Sequence, residues 1–409
     1  MKKVLGVTLG ILTAIGGFVD IGDLVTNALV GARFGMHLAW VVVLGVVGIC
    51  LYAEMSGRVV AMSGRPVFDL IRERLGPKTG LVALVASFLV TLLTLIAEVG
   101  GVALAFELAS GVSYLLWMPF VAFAVWLVIW LVKFSRLEQV FGLLGLLLIV
   151  FAVALFKLGP DWGQLLHQAT APHPTGHEGW ATYAYYGIAL FGAAMTPYEV
   201  FFFSSGGVEE KWDRKDLGTE RANVFIGFPL GGLLSLAIMG CAAVLFLPAG
   251  IQVGTLGQVA LPVAVALGKI GLAIVLLGVF AATFGAALET ALSCGYTIAQ
   301  YRGWQWGKFV RPREASRFHV VIIVCLVLAV LTLLTAVDPV LVTEYSVVFA
   351  AMALPLTYFP ILIVANDPDY VGKETNGRIR NGISLFYLAL LTVASAAAIP
   401  LMIITKAGK

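Results

Sequence analysis

Two acidic breaks carry the chemistry this sequence can offer: Asp20-Ile21-Gly22-Asp23 and Thr196-Pro197-Tyr198-Glu199, each inside an apolar stretch. A carboxylate near the middle of a bilayer costs roughly 2.5–3.5 kcal/mol even on lenient insertion scales, so an acid placed there marks function. Glycine and proline loosen a helix and release backbone carbonyls. Asp20 and Asp23 are three residues apart, and at a glycine-containing break both can turn toward one ion. Thr196 supplies a hydroxyl. Pro197 removes a donor and frees a carbonyl of the preceding turn, from Ala193 or Ala194. Glu199 either joins the same site, directly or through water, or lines a vestibule. Every one of these donors is oxygen, which suits Mg²⁺, Ca²⁺ and Mn²⁺. Met195 lies one residue before Thr196, about 100° away round a helix, and reads as packing.

Two further acids fall within apolar spans. Glu98, in Thr94-Leu95-Ile96-Ala97-Glu98, and Glu289 either carry protons and line an ion path, or are buried acids bonded to backbone or arginine. Glu54 and Arg58 are four apart and read as an intrahelical ion pair, a candidate part of an inner gate.

The elements that must position these residues are membrane helices. The chain has 409 residues, of which 60% are hydrophobic and only 12% charged; soluble domains carry about 25% charge. Basic residues sit between apolar spans, which argues against nucleic-acid binding. Cys50, Cys241, Cys294 and Cys325 fall inside spans without metal-ligand spacing and read as small apolar residues. The first apolar stretch has no small-residue cleavage site and reads as a membrane helix rather than a signal peptide. No phosphate-binding loop suggests an ATP-driven pump, and no catalytic residues or resident cofactor are expected.

Apolar spans of about 20 residues are expected at 9–31, 38–60, 81–109, 114–133, 139–157, 181–205, 224–247, 263–300, 318–337, 341–364 and 383–405. The third and eighth are long enough to tilt or project. Lys and Arg concentrate in alternate loops, among them Arg72, Arg136, Arg214, Arg311 and Arg380, which places the N-terminus in the cytoplasm and the C-terminus outside. The outer loop at 158–180 holds His167, His173 and His177, with Pro172 and Pro174. It reads as a turn-rich solvated loop, the alternative being a metal-gathering antechamber.

Spans one to five (1–157) and six to ten (181–364) form two sets, each opening with a broken helix, and 383–405 is an extra eleventh span. Five is odd, so the second set is inverted relative to the first, an arrangement associated with alternating access. One transporter domain is expected.

These residues resemble the Nramp divalent-metal transporter family. That family carries Asp-Pro-Gly-Asn in its first helix, where this chain has Asp20-Ile21-Gly22-Asp23. The resemblance continues through Gly31-Ala32-Arg33-Phe34-Gly35, Glu54-Met55-Ser56-Gly57-Arg58 and Ile71-Arg72-Glu73-Arg74-Leu75-Gly76. Thr196-Pro197-Tyr198 matches the family's Met-Pro-His, and Ala97-Glu98 its Ala-Glu. The resemblance covers most of the chain, more weakly after residue 220. It implies an all-α LeuT-like fold of about eleven helices, with divalent metal as cargo.

The departures are informative. Thr196 replaces the metal-binding Met, Asp23 the metal-binding Asn, Tyr198 the His tied to proton movement, and Leu95 the proton-accepting Asp. Val347 stands where the family has Gln. This pattern is similar to the Nramp-related magnesium transporters, and it implies a harder, roomier site for partly hydrated Mg²⁺, with Mn²⁺ also accepted and without tight proton coupling. The alternatives are a proton-coupled Mn²⁺/Fe²⁺ importer or an organic-cation or amino-acid carrier on the same scaffold. Oligomeric state is not legible in the sequence.

Overall fold

The structure is a computed structural model that describes residues 18–175 and 178–408. Among them there is no strand. Part of the first expected span, 9–17, lies outside the described residues. Helical geometry is present at Phe18 and lost at Val19 and Asp20, and it resumes as α1, Ile21–Phe34. The expected break is therefore where the acids stand. Asp20 caps α1 with extended backbone (φ −93°, ψ −176°), its side chain accepting the Asp23 N–H.

Among the described residues, ten apolar helical stretches long enough to cross a membrane follow, one for each remaining expected span. They are built from α2 (Ala39–Ser63), α3 (Val67–Ser110), α4 (Tyr114–Leu131), and α5 (Phe134–Gly145) continued through one tight turn into α6 (Val150–Leu158). A short α7 (Trp162–Thr170) precedes α8 (Trp180–Ala194) and α9 (Pro197–Glu209). Then come α10 (Leu217–Ala222), a wide turn at Asn223–Gly227, α11 (Phe228–Leu245), α12 (Leu256–Arg302), α13 (Ser316–Leu333), α14 (Pro339–Val364), α15 (Pro368–Val371) and α16 (Arg378–Ile404).

The second break is made by Met195 (φ −133°, ψ 53°) and Thr196, with Pro197 opening α9. Proline suits a first helical position because the N–H it lacks would have no partner there.

The two long expected spans are longer still, for a reason hydropathy alone does not reveal. α3 leaves helical geometry at Gly76 (φ 81°, ψ 166°) and α12 at Gly268 (φ 65°, ψ −153°). Both conformations are open in practice only to glycine. Each of these helices is thus a short arm joined to a long rod, and each is the third member of its set of five. The halves repeat this bend as well as the broken first helix.

The long rods of α3 and α12 pack on each other, α14 packs on α3, and α1 packs on α11. α1 is buried on nearly every face, its polar Asp23, Thr26 and Asn27 included. Exposed large side chains gather instead on outer helices, for example Leu116, Phe120 and Phe123 of α4 and Leu385, Phe386 and Val393 of α16. This is the distribution of a bundle with lipid as its outer solvent.

Candidate functional site

The breaks in α1 and α8–α9 face each other. Asp20, Asp23, Thr196 and Glu199 are all buried, at 2%, 1%, 3% and 7% exposure. Asp20 Oδ1 accepts the Asp23 N–H at 2.8 Å, and Oδ2 accepts the Tyr198 hydroxyl at 3.0 Å. Asp23 Oδ1 accepts Asn27 Nδ2 at 2.8 Å, while Oδ2 accepts the Ser235 hydroxyl from α11. Both aspartates are therefore held by donors of the chain itself. Among the described residues no three His, Cys, Asp or Glu side chains stand close enough together to hold a metal ion directly.

Thr196 Oγ1 donates to Glu199 Oε2 across 3.4 Å, and Glu199 Oε1 has no hydrogen-bond partner. Glu199 lies in the first turn of α9, where the helix dipole favours a negative charge. Ala193, 3% exposed, lies in the last turn of α8 four residues before Pro197, which supplies no N–H to its carbonyl. Glu98 reaches α1 from α3: its Oε1 accepts the Ile21 N–H at 3.0 Å, and its Oε2 has no partner. One of the free donors that open α1 is thereby satisfied. Glu289, on α12, comes within electrostatic range of Asp20 and Glu199. No ion pair among the described residues reaches any of these five acids, so the charge of the cluster is left to a cation or to protons.

The packing reading of Met195 agrees with its position. Its sulfur lies against Gly48 of α2, beside Tyr387 of α16, so it points into a helix interface. Val347 of α14 lies between the breaks, its side chain against Gly22 and its carbonyl against Gly192. Three residues that hold the site were not anticipated from the sequence. They are Asn27, Ser235 and Ser293, the last donating to the Tyr198 carbonyl at 3.2 Å. Asn27 stands one helical turn after Asp23, a spacing that could have flagged it. Nothing local marks Ser235 or Ser293, because both act across more than ninety residues of chain.

The 158–180 segment is solvent-accessible, with no buried residue among those described, and is anchored to the bundle at several points. The Arg33 guanidinium pairs with Glu178 at 2.7 Å and donates to the Tyr186 hydroxyl at 2.6 Å. His37 Nδ1 bonds the Ala171 carbonyl at 2.6 Å, and its ring lies 4.0 Å from that of His173. His177 lies outside the described residues.

At the opposite end of the bundle, Glu54 and Arg58 are indeed paired, at 3.2 Å, within a larger cluster. Arg221 and Arg380 also reach Glu54, at 3.2 and 3.3 Å, and Arg58 Nη2 donates to Asn376 at 2.6 Å. The cluster ties α2, α10, the segment before α16 and the first turn of α16 together.

Against known proteins, the sequence profile of the family described as Natural resistance-associated macrophage protein-like, Nramp, matches residues 10–400. The divalent metal cation transporter MntH 1 of Pseudomonas aeruginosa is 32% identical over 257 residues, which is 61% of this chain and 56% of that protein. The MntH of Aeromonas hydrophila is 24% identical over 92% of this chain and 90% of its own length. Among solved structures, a variant of the Eremococcus coleocola manganese transporter gives a TM-score of 0.72 at 19% identity, covering 95% of this chain and 84% of that one. A nucleobase-cation-symport-1 family transporter, closed around bromovinylhydantoin, gives 0.63 at 15% identity, covering 97% and 92%. The shared architecture is the all-α LeuT-like fold expected from the sequence.

Proposed function

This chain belongs to the Nramp family, and from that premise we propose that it is a secondary transporter that carries divalent metal ions into the cell by alternating access. Its cargo is partly hydrated Mg²⁺, with Mn²⁺ also accepted. The observation that carries this reading is the turning away of Met195, whose sulfur lies against Gly48 and leaves oxygen as the donor type at the paired breaks. Mg²⁺ loses water reluctantly and keeps several waters when bound. Dispersed carboxylates suit an ion of that kind better than a tight cage does.

Asp20 is the principal ligand in this proposal. Asp23 is a second ligand or a water acceptor, and Thr196 and the Ala193 carbonyl complete the shell. Glu199 acts through water. Binding exchanges the Tyr198 hydroxyl on Asp20 for the cation. Entry of a dication is driven by the membrane potential, which supplies about 4.6 kcal/mol per 100 mV for two charges. The basic loops face the cytoplasm and the C-terminus lies outside. The two sets of five helices act as the interleaved repeats of one domain, with the Glu54–Arg58 cluster at the inner end and the Arg33–Glu178 pair at the outer end.

A second reading is a proton-coupled Mn²⁺ importer. The unpartnered oxygens of Glu98 and Glu199 favour it, because each can take a proton beside the site. Uptake of Mg²⁺ and of Mn²⁺ into proteoliposomes, with a pH dye inside, separates the two. Mg²⁺ uptake without acidification supports the first reading; Mn²⁺ uptake alone, with acidification, replaces it with the second.

A further inference from the structure

From Ala281 to Thr297 every residue of α12 is buried except Glu289. Both its flanking residues, Leu288 and Thr290, are closed off, at 2% and 0% exposure. The accessible surface of Glu289 therefore belongs to a space inside the bundle, not to the lipid-facing side.

Hydrogen bonds locate that space. Ser293, one turn further along α12, donates to the Tyr198 carbonyl, and the Tyr198 hydroxyl donates to Asp20. Residues four apart share a helix face, so Glu289 and Ser293 face the same junction of the two broken helices. Glu289 is within electrostatic range of Asp20, Glu98 and Glu199. Glu98 and Glu199 are buried, at 0% and 7% exposure, and each keeps one carboxylate oxygen without a partner. Acids from α1, α3, α9 and α12 thus converge on one junction with no basic side chain of the described residues paired to them. No three of them stand close enough to coordinate an ion directly.

We propose that Glu289 is a specificity-determining residue of the metal site, accepting hydrogen bonds from water molecules that the cation retains. This rests on the divalent-metal reading above and deepens it. In this arrangement Asp20 contacts the cation and Glu289, on the far wall, contacts its water shell. A carboxylate that works through water favours the ion that holds its water more tightly. Glu289 therefore favours Mg²⁺ over Mn²⁺, since Mg²⁺ dehydrates reluctantly. The rod of α12 is a rigid element outside both breaks, so it offers a fixed acceptor against which the shell is measured.

The test uses full-length protein in nanodiscs, titrated with Mg²⁺ and with Mn²⁺. Hexaamminecobalt(III) serves as an exchange-inert competitor, because its ammine hydrogens stand where the water hydrogens of hydrated Mg²⁺ would be. With wild-type protein it is expected to compete weakly with Mg²⁺, through hydrogen bonds to its ammines alone, because Asp20 cannot replace an ammine. In Glu289→Gln, Mg²⁺ binding and cobalt competition are expected to weaken by about tenfold, with Mn²⁺ binding nearly unchanged. Glu289→Asp keeps the charge and is expected to recover part of the effect, and melting curves of both variants show whether they fold. Equal weakening of Mg²⁺ and Mn²⁺ would overturn the proposal by making Glu289 a direct ligand or a structural acid. No change in either would also overturn it. If wild-type protein bound neither metal, the transport reading itself would fail, whatever Glu289 does.

Discussion

The Tyr198 hydroxyl donates to Asp20 Oδ2 across 3.0 Å, joining the first turn of α9 to the residue that caps α1. The two breaks, 178 residues apart in sequence, are thus tied through Asp20. A cation that takes Asp20 must displace or share that donor.

Removing the hydroxyl alone should expose this competition. Hydrogen bonds to charged groups are worth about 1.5–3 kcal/mol, and losing part of that competition should tighten metal binding by about tenfold. Tyr198→Phe is therefore expected to lower the Mg²⁺ KM in proteoliposome uptake. A higher KM would show that the hydroxyl assists the ion rather than caps its ligand.

Ser235 holds Asp23 from α11. Replacing it by alanine leaves a buried carboxylate oxygen without its donor, at a cost of about 1–3 kcal/mol. Ser235→Ala is expected to melt at a lower temperature in the metal-free state and to regain most of the loss in saturating Mg²⁺, because the cation then supplies the missing partner. Equal losses with and without Mg²⁺ would separate Asp23 from the metal site.

How much of this was legible beforehand follows from the range of each interaction. Asp20, Asp23 and Thr196-Pro197 announce themselves locally, because acids and proline in apolar spans have few bland explanations. The spans were readable for the same reason: hydropathy is a local sum. Gly76 and Gly268 were not, since their effect lies in a backbone angle that composition does not display. Ser235 and Ser293 are ordinary residues of apolar helices until folding sets them against Asp23 and Tyr198. The anchoring of the solvated, histidine-bearing loop was not legible, because it comes from partners far away in the chain, Arg33 and His37.

Thr196 offers a direct test of the ion's hardness. Thr196→Met places a thioether at the break, and soft donors favour softer metals. Competition by Cd²⁺ against Mg²⁺ uptake is expected to strengthen by about tenfold or more, with Mg²⁺ uptake itself reduced as water space is filled. Unchanged Cd²⁺ competition would mean that residue 196 does not face the ion.

The outer segment should respond to pH through His37. Burial first, with the neighbouring His173 and His167 adding to it, lowers the His37 pKa below its ordinary 6.5, against the Ala171 carbonyl that raises it. The folded segment therefore binds fewer protons than the opened one. Its stability is full above pH 6.5 and is lost as pH falls below that value. Hydrogen exchange over α7 and residues 171–175 is expected to quicken from pH 7 to 5.5 beyond the intrinsic chemical trend, and to lose that extra pH dependence in His37→Gln. The same excess in the variant would show that His37 is not its source.

The central claim is that Asp20 is the ligand on which metal transport depends, and the most direct measurement is Mg²⁺ influx into proteoliposomes held at an inside-negative potential. Wild-type protein and Asp20→Asn should be compared at equal reconstitution. The account predicts saturable influx that grows with the potential in wild-type protein and falls to background in the variant. Influx of the same size and saturation in Asp20→Asn would contradict it, whatever the remaining acids contribute.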